Sequence, residues 1–321
     1  MRTLYRYDDA DLRHAAAAAI RAPSMHNSQP WQFRLRDGAI EVLADRSRQL
    51  AVADDNGWAL RIACGAATFN ARLALAANGT PAVVVFRPDN HETNLVARLT
   101  PDVRRLPTYP ETDLFAAVDH RHSNRLPFWP DPVPSELRMR LIEAARAESG
   151  WLDLLVGMTA LSGFAEIAQS ADRVLRRDER YQAELSTWVR AEPAPDGIPV
   201  MAGAPAPEPQ DLLPQRSFGG RRRAAVRDFE PEPLVAILGT AGDRSYDQFV
   251  AGQALQRVLL TATDAGLASS IISQPIEVPA AREQLRRSLG RSATPQIALR
   301  LGYGHPGRPT PRRELTDVLV S

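Results

Sequence analysis

The densest concentration of groups able to do chemistry is RAPSMHNSQPWQF, Arg21 to Phe33. Pro23 and Pro30 flank Ser24, Asn27, Ser28 and Gln29, which offer donors and acceptors on a non-repetitive backbone, while Trp31 and Phe33 anchor a following strand. Such a loop can present amides to a planar ligand with polar edges. It reads equally well as a helix-capping turn, and the residues alone leave both readings open. Other chemistries are scarce. All 39 basic residues are Arg, which excludes phosphate-binding Lys, Schiff-base and Ser-Lys mechanisms. The single Cys64, in the apolar run RIACGAATF, excludes an intramolecular disulfide and any multi-Cys metal site, and reads as a small buried hydrophobe. His120 and His122 have no carboxylate or further His at ligand spacing, and HExxH is absent, so no metal is expected. No GxSxG nucleophile turn occurs. GYGHPG, Gly302 to Gly307, satisfies G-x-G-x-x-G, but RPTPRR follows it and cannot open the helix whose amides would meet a pyrophosphate.

The elements that must position this loop are legible in outline. Two stretches correspond in order along the chain, which points to a duplicated unit. At an offset of 125, Leu12-Arg13 matches Leu137-Arg138, Ala19 matches Ala144 and Arg21 matches Arg146, in two amphipathic Ala-rich segments. At an offset of 187, GAATFNARLALAANG (Gly65 to Gly79) lies over GQALQRVLLTATDAG (Gly252 to Gly266). Each is followed by a strand candidate, 81–88 and 267–273, so Gly79 and Gly266 are expected as left-handed helix C-caps. WQFRLR and AIEVLA around Gly38 predict a hairpin, and QIALRLGYG a late strand. Helices and strands interleave without a βαβ rhythm, so the expected class is α+β.

The change of offset implies an insertion of roughly 60 residues in the second half. Residues 159–191 predict one long or two shorter helices, and EPAPDGIPVMAGAPAPEPQDLLP, Glu192 to Pro214, is too rich in Pro and Gly to continue them. That segment is a lid over a pocket or a surface excursion. GGRRR at 219–223 is an anion-binding cluster or a solvated charge run. The 39 Arg nearly balance 38 carboxylates, for a net charge of +1, so no global field draws in nucleic acid or an anionic membrane. With no apolar run of 18 residues and no secretory h-region at MRTLYRYDDADLR, the expectation is a cytoplasmic protein.

The motif A-P-S-x-x-N-x-Q-P-W at the end of an amphipathic helix resembles the signature of the nitroreductase family of flavoenzymes. Three further elements resemble that family: Arg121-His122-Ser123-Asn124-Arg125 followed by LPFWPDPVPSELRMRLIEAA, SQPIE at Ser273 to Glu277, and TPRRELTDVL at Thr310 to Leu319. The resemblance implies a nitroreductase-like fold and an FMN held by residues from two subunits. Here the signature loop lies in the first half and the other three elements in the second. The first half opens with RTLYRYDD, lacking R-x-S-x-R, and the second-half counterpart of the loop, AARAESGWLDLL, lacks Asn and Gln-Pro-Trp. The chain therefore resembles the mycobacterial Acg-type branch, a fused pseudo-dimer of two homologous halves, 1–108 and 109–321, with one FMN at their interface under a Pro-rich lid at about 190–220.

Carried over residue by residue, the resemblance places Arg121, Ser123 and Arg312 or Arg313 at the FMN phosphate, which planar multi-donor Arg groups suit. It places Arg125 at the flavin N1/O2 edge, and the main-chain N–H of Glu277, within Pro275-Ile276-Glu277, at N5. Pro23, Ser24, Met25 and Asn27 would flank the ring and ribityl chain. The activity implied is hydride transfer from NAD(P)H through the flavin to a flat quinone- or nitro-type acceptor, with no obligatory catalytic side chain. The implied alternative is a protein that sequesters FMN beneath a closed lid. The expected assembly is a monomer whose only ligands are small molecules.

Overall fold

In the computed structural model, residues 5–87, 91–203, 211–214, 216, 218 and 232–321 are described. The first helix, α1 (Asp9–Ala19), begins where Asp8 and Asp11 cap each other: the Asp8 carboxylate accepts from the Ala10 and Asp11 amides, and the Asp11 carboxylate accepts from the Asp8 amide. A hairpin of β1 (Trp31–Arg36) and β2 (Ala39–Ala44) follows, turned by Asp37 and Gly38 at φ of 55° and 74°. Next come α2 (Trp58–Ala77), β3 (Ala82–Phe86) and β4 (Leu95–Pro101). After α3 (Tyr109–Ala116) the series starts again with α4 (Ser135–Ala147) and β5 (Trp151–Leu155). It is then interrupted by α5 (Met158–Arg177), α6 (Glu179–Thr187) and the short parallel pair β6 (Val189–Arg190) and β7 (Ile198–Pro199). It resumes with β8 (Leu234–Thr240), α7 (Ser245–Asp264), β9 (Ala268–Ile272), α8 (Gln274–Glu277), α9 (Pro279–Ser288), β10 (Thr294–Gly302) and α10 (Leu315–Val318).

The duplication is visible as topology. One antiparallel sheet runs β1-β2-β4-β3 and the other β5-β8-β10-β9, which is the same order for strands at the same places in the series. The class is α+β, as the sequence predicts. The long helix of each unit, α2 and α7, spans 20 residues at the offset of 187, and each is buried on nearly every face, so both belong to the centre of the molecule. They cross where Gly65 meets Gly252. A Cβ on Gly252 would stand 2.0 Å from the Ile62 carbonyl oxygen, and one on Gly65 2.1 Å from that of Phe249, so only glycine allows the crossing. Gly79 and Gly266 end the two helices at φ of 77° and 73°, with Thr80 and Leu267 amides returning to the Leu75 and Ala262 carbonyls, the left-handed C-caps expected.

β4 and β8 escape the sequence reading. In β4 the alternation is broken by the buried Val96, and the charge of Arg98 is matched across the sheet by Glu41 of β2, itself paired with Arg34 of β1. The predicted helical stretch over 159–191 is two helices, separated at Asp178, whose carboxylate accepts from the Arg180 and Tyr181 amides. The chain end crosses over: Leu319 bridges Phe33 in parallel and the Val320 amide donates to the Phe33 carbonyl at 2.9 Å. The second unit thus completes the first unit's sheet edge, and the residues just before α10 are carried to the signature loop. Among the described residues, no helix is long and apolar enough to cross a membrane.

Candidate functional site

Loop 23–29 is held in an unusual backbone shape. His26, Asn27 and Gln29 have φ of 51°, 56° and 51°, left-handed values that strain non-glycine residues and persist only where the surroundings enforce them. The enforcement is visible. The Gln29 amide donates to Ser24 Oγ at 2.9 Å, and the Gln29 side chain, fully buried, donates to the Pro195 carbonyl at 2.9 Å and accepts from the Arg313 amide at 2.9 Å. A first-unit loop is thereby tied to the Pro-rich segment after α6 and to the C-terminal arm.

Beneath the loop lies a cavity made by both units, with ≈ 1210 Å³ of atom-free space including its open mouth. The loop, the first turns of α2 (Trp58, Ala59, Ile62, Ala63), the segment after α3, the end of β9 and the insertion residues Ile198, Leu213, Pro214, Arg216 and Phe218 all line it. The start of α2 is fixed there by Asp54, whose buried carboxylate accepts from the Ala59 and Leu60 amides. Burial nonetheless raises the Asp54 carboxyl to about 6.

The cavity's electrostatics are one-sided: no Asp or Glu is among its described lining residues, whereas Arg121, Arg125, Arg216, Arg300 and Arg312 are. Arg216 is neutralised by Glu277 at 2.6 Å, and Tyr181 donates to the other Glu277 oxygen at 2.6 Å. Arg121, Arg125 and Arg312 have no carboxylate partner among the described residues. Arg121 donates to the Arg21 carbonyl at 3.1 Å and Arg125 to the Ala202 carbonyl at 3.1 Å. The Nε of Arg121 and of Arg312 are buried without any acceptor. Burial first, then a neighbouring guanidinium (Arg125 for Arg121, Arg216 for Arg125, Arg121 and Arg21 for Arg312), pulls Arg121 and Arg125 down to about 10 and Arg312 to about 9. One buried and two part-buried guanidiniums with two orphaned, buried N–H groups are an unmet demand for a multiply charged oxyanion. Ile62, Leu213, Phe218, Leu255 and Ile297 form an apolar part of the wall that suits a flat ring.

Of the residues singled out from sequence, Pro23, Ser24, Met25, Asn27, Arg121, Ser123, Arg125 and Arg312 line the cavity together. Four are placed differently. Pro275, Ile276 and Glu277 are not among the lining residues; the Glu277 amide donates to the Ser273 carbonyl at 3.0 Å, within the turn of α8, so the expectation of a free N–H there is corrected. At that edge Ser273 and Gln274 face the cavity instead. Arg313 is also corrected: it bonds the Gln29 carbonyl, Asp45 and the Asp317 carbonyl, away from the cavity, which leaves Arg312 as the phosphate candidate. Asn27 lines the cavity, but its side chain holds the lid and the arm. Of the lid's apolar residues, Leu213, Ile198 and Phe218 line the cavity, whereas Met201 is half exposed. Residues 204–210, 215, 217 and the cluster 219–223 lie outside the described residues.

Sequence reasoning missed His26, Arg216, Phe218, Gln274 and Arg300. His26 sits inside the signature loop, where its left-handed backbone leaves no sequence trace, and its buried Nε2 has no partner. Arg216 and Phe218 come from the insertion, which has no counterpart in the first unit. The second, pseudo-symmetric position is filled. At the offset of 187, cavity residues Ala59, Ile62 and Ser273 correspond to Tyr246, Phe249 and Phe86, and Phe86 packs on Tyr246 and Phe249 with ring centroids 5.6 and 5.0 Å apart.

A family model described as "Nitroreductase family" matches residues 118–304. A Mycobacterium tuberculosis protein, "Putative NAD(P)H nitroreductase Rv3131", is 33% identical over 98% of this chain and 92% of its own length. Another from the same organism with the same designation, acg, is 29% identical over 96% and 94%. Among solved structures, an FMN-dependent nitroreductase, NfnB, from Mycobacterium smegmatis in complex with NADPH aligns over 64% of this chain and 96% of its own, at 18% identity and a TM-score of 0.43.

Proposed function

The chain belongs to the nitroreductase family, and from that premise we propose that it binds one FMN between its two units and works as an NAD(P)H-dependent oxidoreductase toward flat quinone- or nitro-type acceptors. The observation that carries the reading is the set of three carboxylate-free guanidiniums on the cavity wall, Arg121 buried and Arg125 and Arg312 part-buried, with orphaned, buried Nε groups at Arg121 and Arg312. FMN fits it: a phosphate of about two negative charges meets the Arg121 and Arg312 end, and an aromatic ring system meets the apolar wall. A single FMN per chain is supported by the aromatic rings that occupy the related position.

When bound, FMN supplies hydride acceptance and donation at its N5. The residues of the chain bind and orient it. Arg121, Ser123 and Arg312 would hold the phosphate, and Arg125, a part-buried cation without a carboxylate partner among the described residues, would stabilise negative charge on the reduced ring. Ser24 Oγ already accepts from the Gln29 amide, so its own proton remains available to an acceptor in the cavity. Pro23 and Met25 border the ring. No side chain is needed as an acid or base. We also read the protein as a cytoplasmic monomer with small-molecule partners.

A second reading, FMN sequestration, is favoured by the seating of the lid. Arg48 bonds Asp196, Asn27 and Gln29 bond the 195–197 backbone, and Arg216 pairs with Glu277, while Leu213 and Phe218 lie against the cavity. The visible absorption spectrum, recorded anaerobically before and after NADH and NADPH, separates the two. Bleaching by either nucleotide supports the reductase; a flavin spectrum indifferent to both supports sequestration. A colourless protein unable to take up FMN refutes the cofactor assignment.

A further inference from the structure

The Asn27 side chain, 6% exposed, joins three segments far apart in sequence. Its Nδ2 donates to the Gly197 carbonyl at 2.9 Å and to the Pro311 carbonyl at 3.0 Å, and its Oδ1 accepts from Arg312 Nη1 at 3.0 Å. Its main-chain carbonyl accepts from the Gly197 amide at 3.3 Å. Gln29 repeats the arrangement one turn away, between Pro195 and the Arg313 amide. The lid and the C-terminal arm do not grip each other directly through these groups; both are gripped by the same two amides.

We infer that Asn27 is a positioning residue that makes the seating of the lid at 195–197 conditional on an oxyanion at Arg312, so that a flavin bearing a terminal phosphate is enclosed and one lacking it is not. The inference rests on the FMN reading above and adds to it a specificity device. Arg312 has its Nη groups bonded to Asn27, Thr310, Pro311, Arg21 and Ala22, while its buried Nε lacks an acceptor. Without an anion, Arg312 stands against the buried Arg121 with no carboxylate to offset their repulsion, while Arg21, paired with Asp119 at the surface, adds less, and this disfavours the arm's place. If the arm withdraws, Asn27 loses its hold on Arg312 and Pro311 together. A primary amide free on that side can rotate, and its bond to the Gly197 carbonyl is then one of several options rather than the only one. A phosphate on Nε reverses each step. Enclosure thereby reports the chemistry at the far end of the ligand, although no lid residue described here touches that end.

Amide hydrogen exchange of peptides covering 192–203 tests this, with full-length protein and three additions: FMN, riboflavin, and riboflavin with inorganic phosphate. In the wild-type chain FMN is expected to slow exchange there about tenfold more than riboflavin, with phosphate restoring part of the difference. In Asn27→Asp, which keeps an acceptor for Arg312 but removes both donors, the FMN-to-riboflavin ratio, read with each flavin at saturation by its fluorescence quenching, falls toward one. Equal protection by the two flavins in the wild-type chain, with both bound by their fluorescence quenching, overturns the coupling and leaves the cofactor reading intact. An unchanged ratio in the Asn27→Asp chain overturns the role of Asn27. Failure of FMN itself to bind overturns both.

Discussion

Replacing Arg121 with Met should have opposite effects on the free and the FMN-bound protein. The side chain is almost fully buried, donates once to the Arg21 carbonyl, and leaves its Nε without an acceptor. Its guanidinium is drawn down from the ordinary arginine range to about 10, mainly by burial. A cation whose folded value is depressed lowers stability at every pH below that value, and the loss is relieved only as pH rises from about 10 toward the ordinary arginine range. At neutral pH the charge therefore costs the empty fold roughly 3 kcal/mol, offset by about 1 kcal/mol for the bond to Arg21. Met fills similar volume without the charge, so the free variant should be at least as stable as the wild type, and up to about 2 kcal/mol more so. With FMN the balance reverses: each lost charge-assisted bond to the phosphate removes about 1.5–3 kcal/mol, which is tenfold or more in Kd. Urea unfolding of the apoprotein and fluorescence titration with FMN read the two terms separately. A variant destabilised by more than about 2 kcal/mol that still binds FMN with an unchanged Kd would show that Arg121 is structural, and the phosphate assignment would fall.

Gly252→Ala should separate the central helices, because the new methyl meets a backbone carbonyl at 2.0 Å; urea unfolding should show a loss of about 2 kcal/mol or more, and a neutral variant would mean the crossing is looser than described. Asp54 is a carboxyl raised to about 6 by burial, so its contribution to stability is complete below its unfolded value near 3.8 and falls as pH rises through 6. In Asp54→Asn that slope, about 3 kcal/mol in all, should be missing between pH 4 and 6 when the two unfolding curves are subtracted. Cys64 is buried, with its thiol pushed up to about 12, so a thiol reagent at neutral pH should leave the native protein unlabelled and react once it unfolds; fast labelling of the native state would contradict its placement.

Sequence alone determined much of the repeat and one side of the site. The Gly65-to-Gly79 and Gly252-to-Gly266 registers mark two apolar helices because glycine is required where they cross and where they end, and both demands are local enough to leave a trace. Pro23, Ser24, Arg121, Ser123, Arg125 and Arg312 were legible because each lies in a short motif whose residue types are themselves the chemistry. Tertiary structure alone decided which neighbour faces inward. Arg312 and Arg313 are adjacent and identical in type, yet one enters the cavity and the other pairs with Asp45, since the arm's backbone is fixed by Asn27 and Gln29 nearly 300 residues earlier. The Glu277 amide is likewise settled by its turn, which directs it to the Ser273 carbonyl. Asn27 looks in sequence like a ligand contact; only the packing of lid, loop and arm around its one amide makes it the group that joins them. Hydrogen-bond capacity is written in a residue's type, but the partner that satisfies it is chosen by the fold.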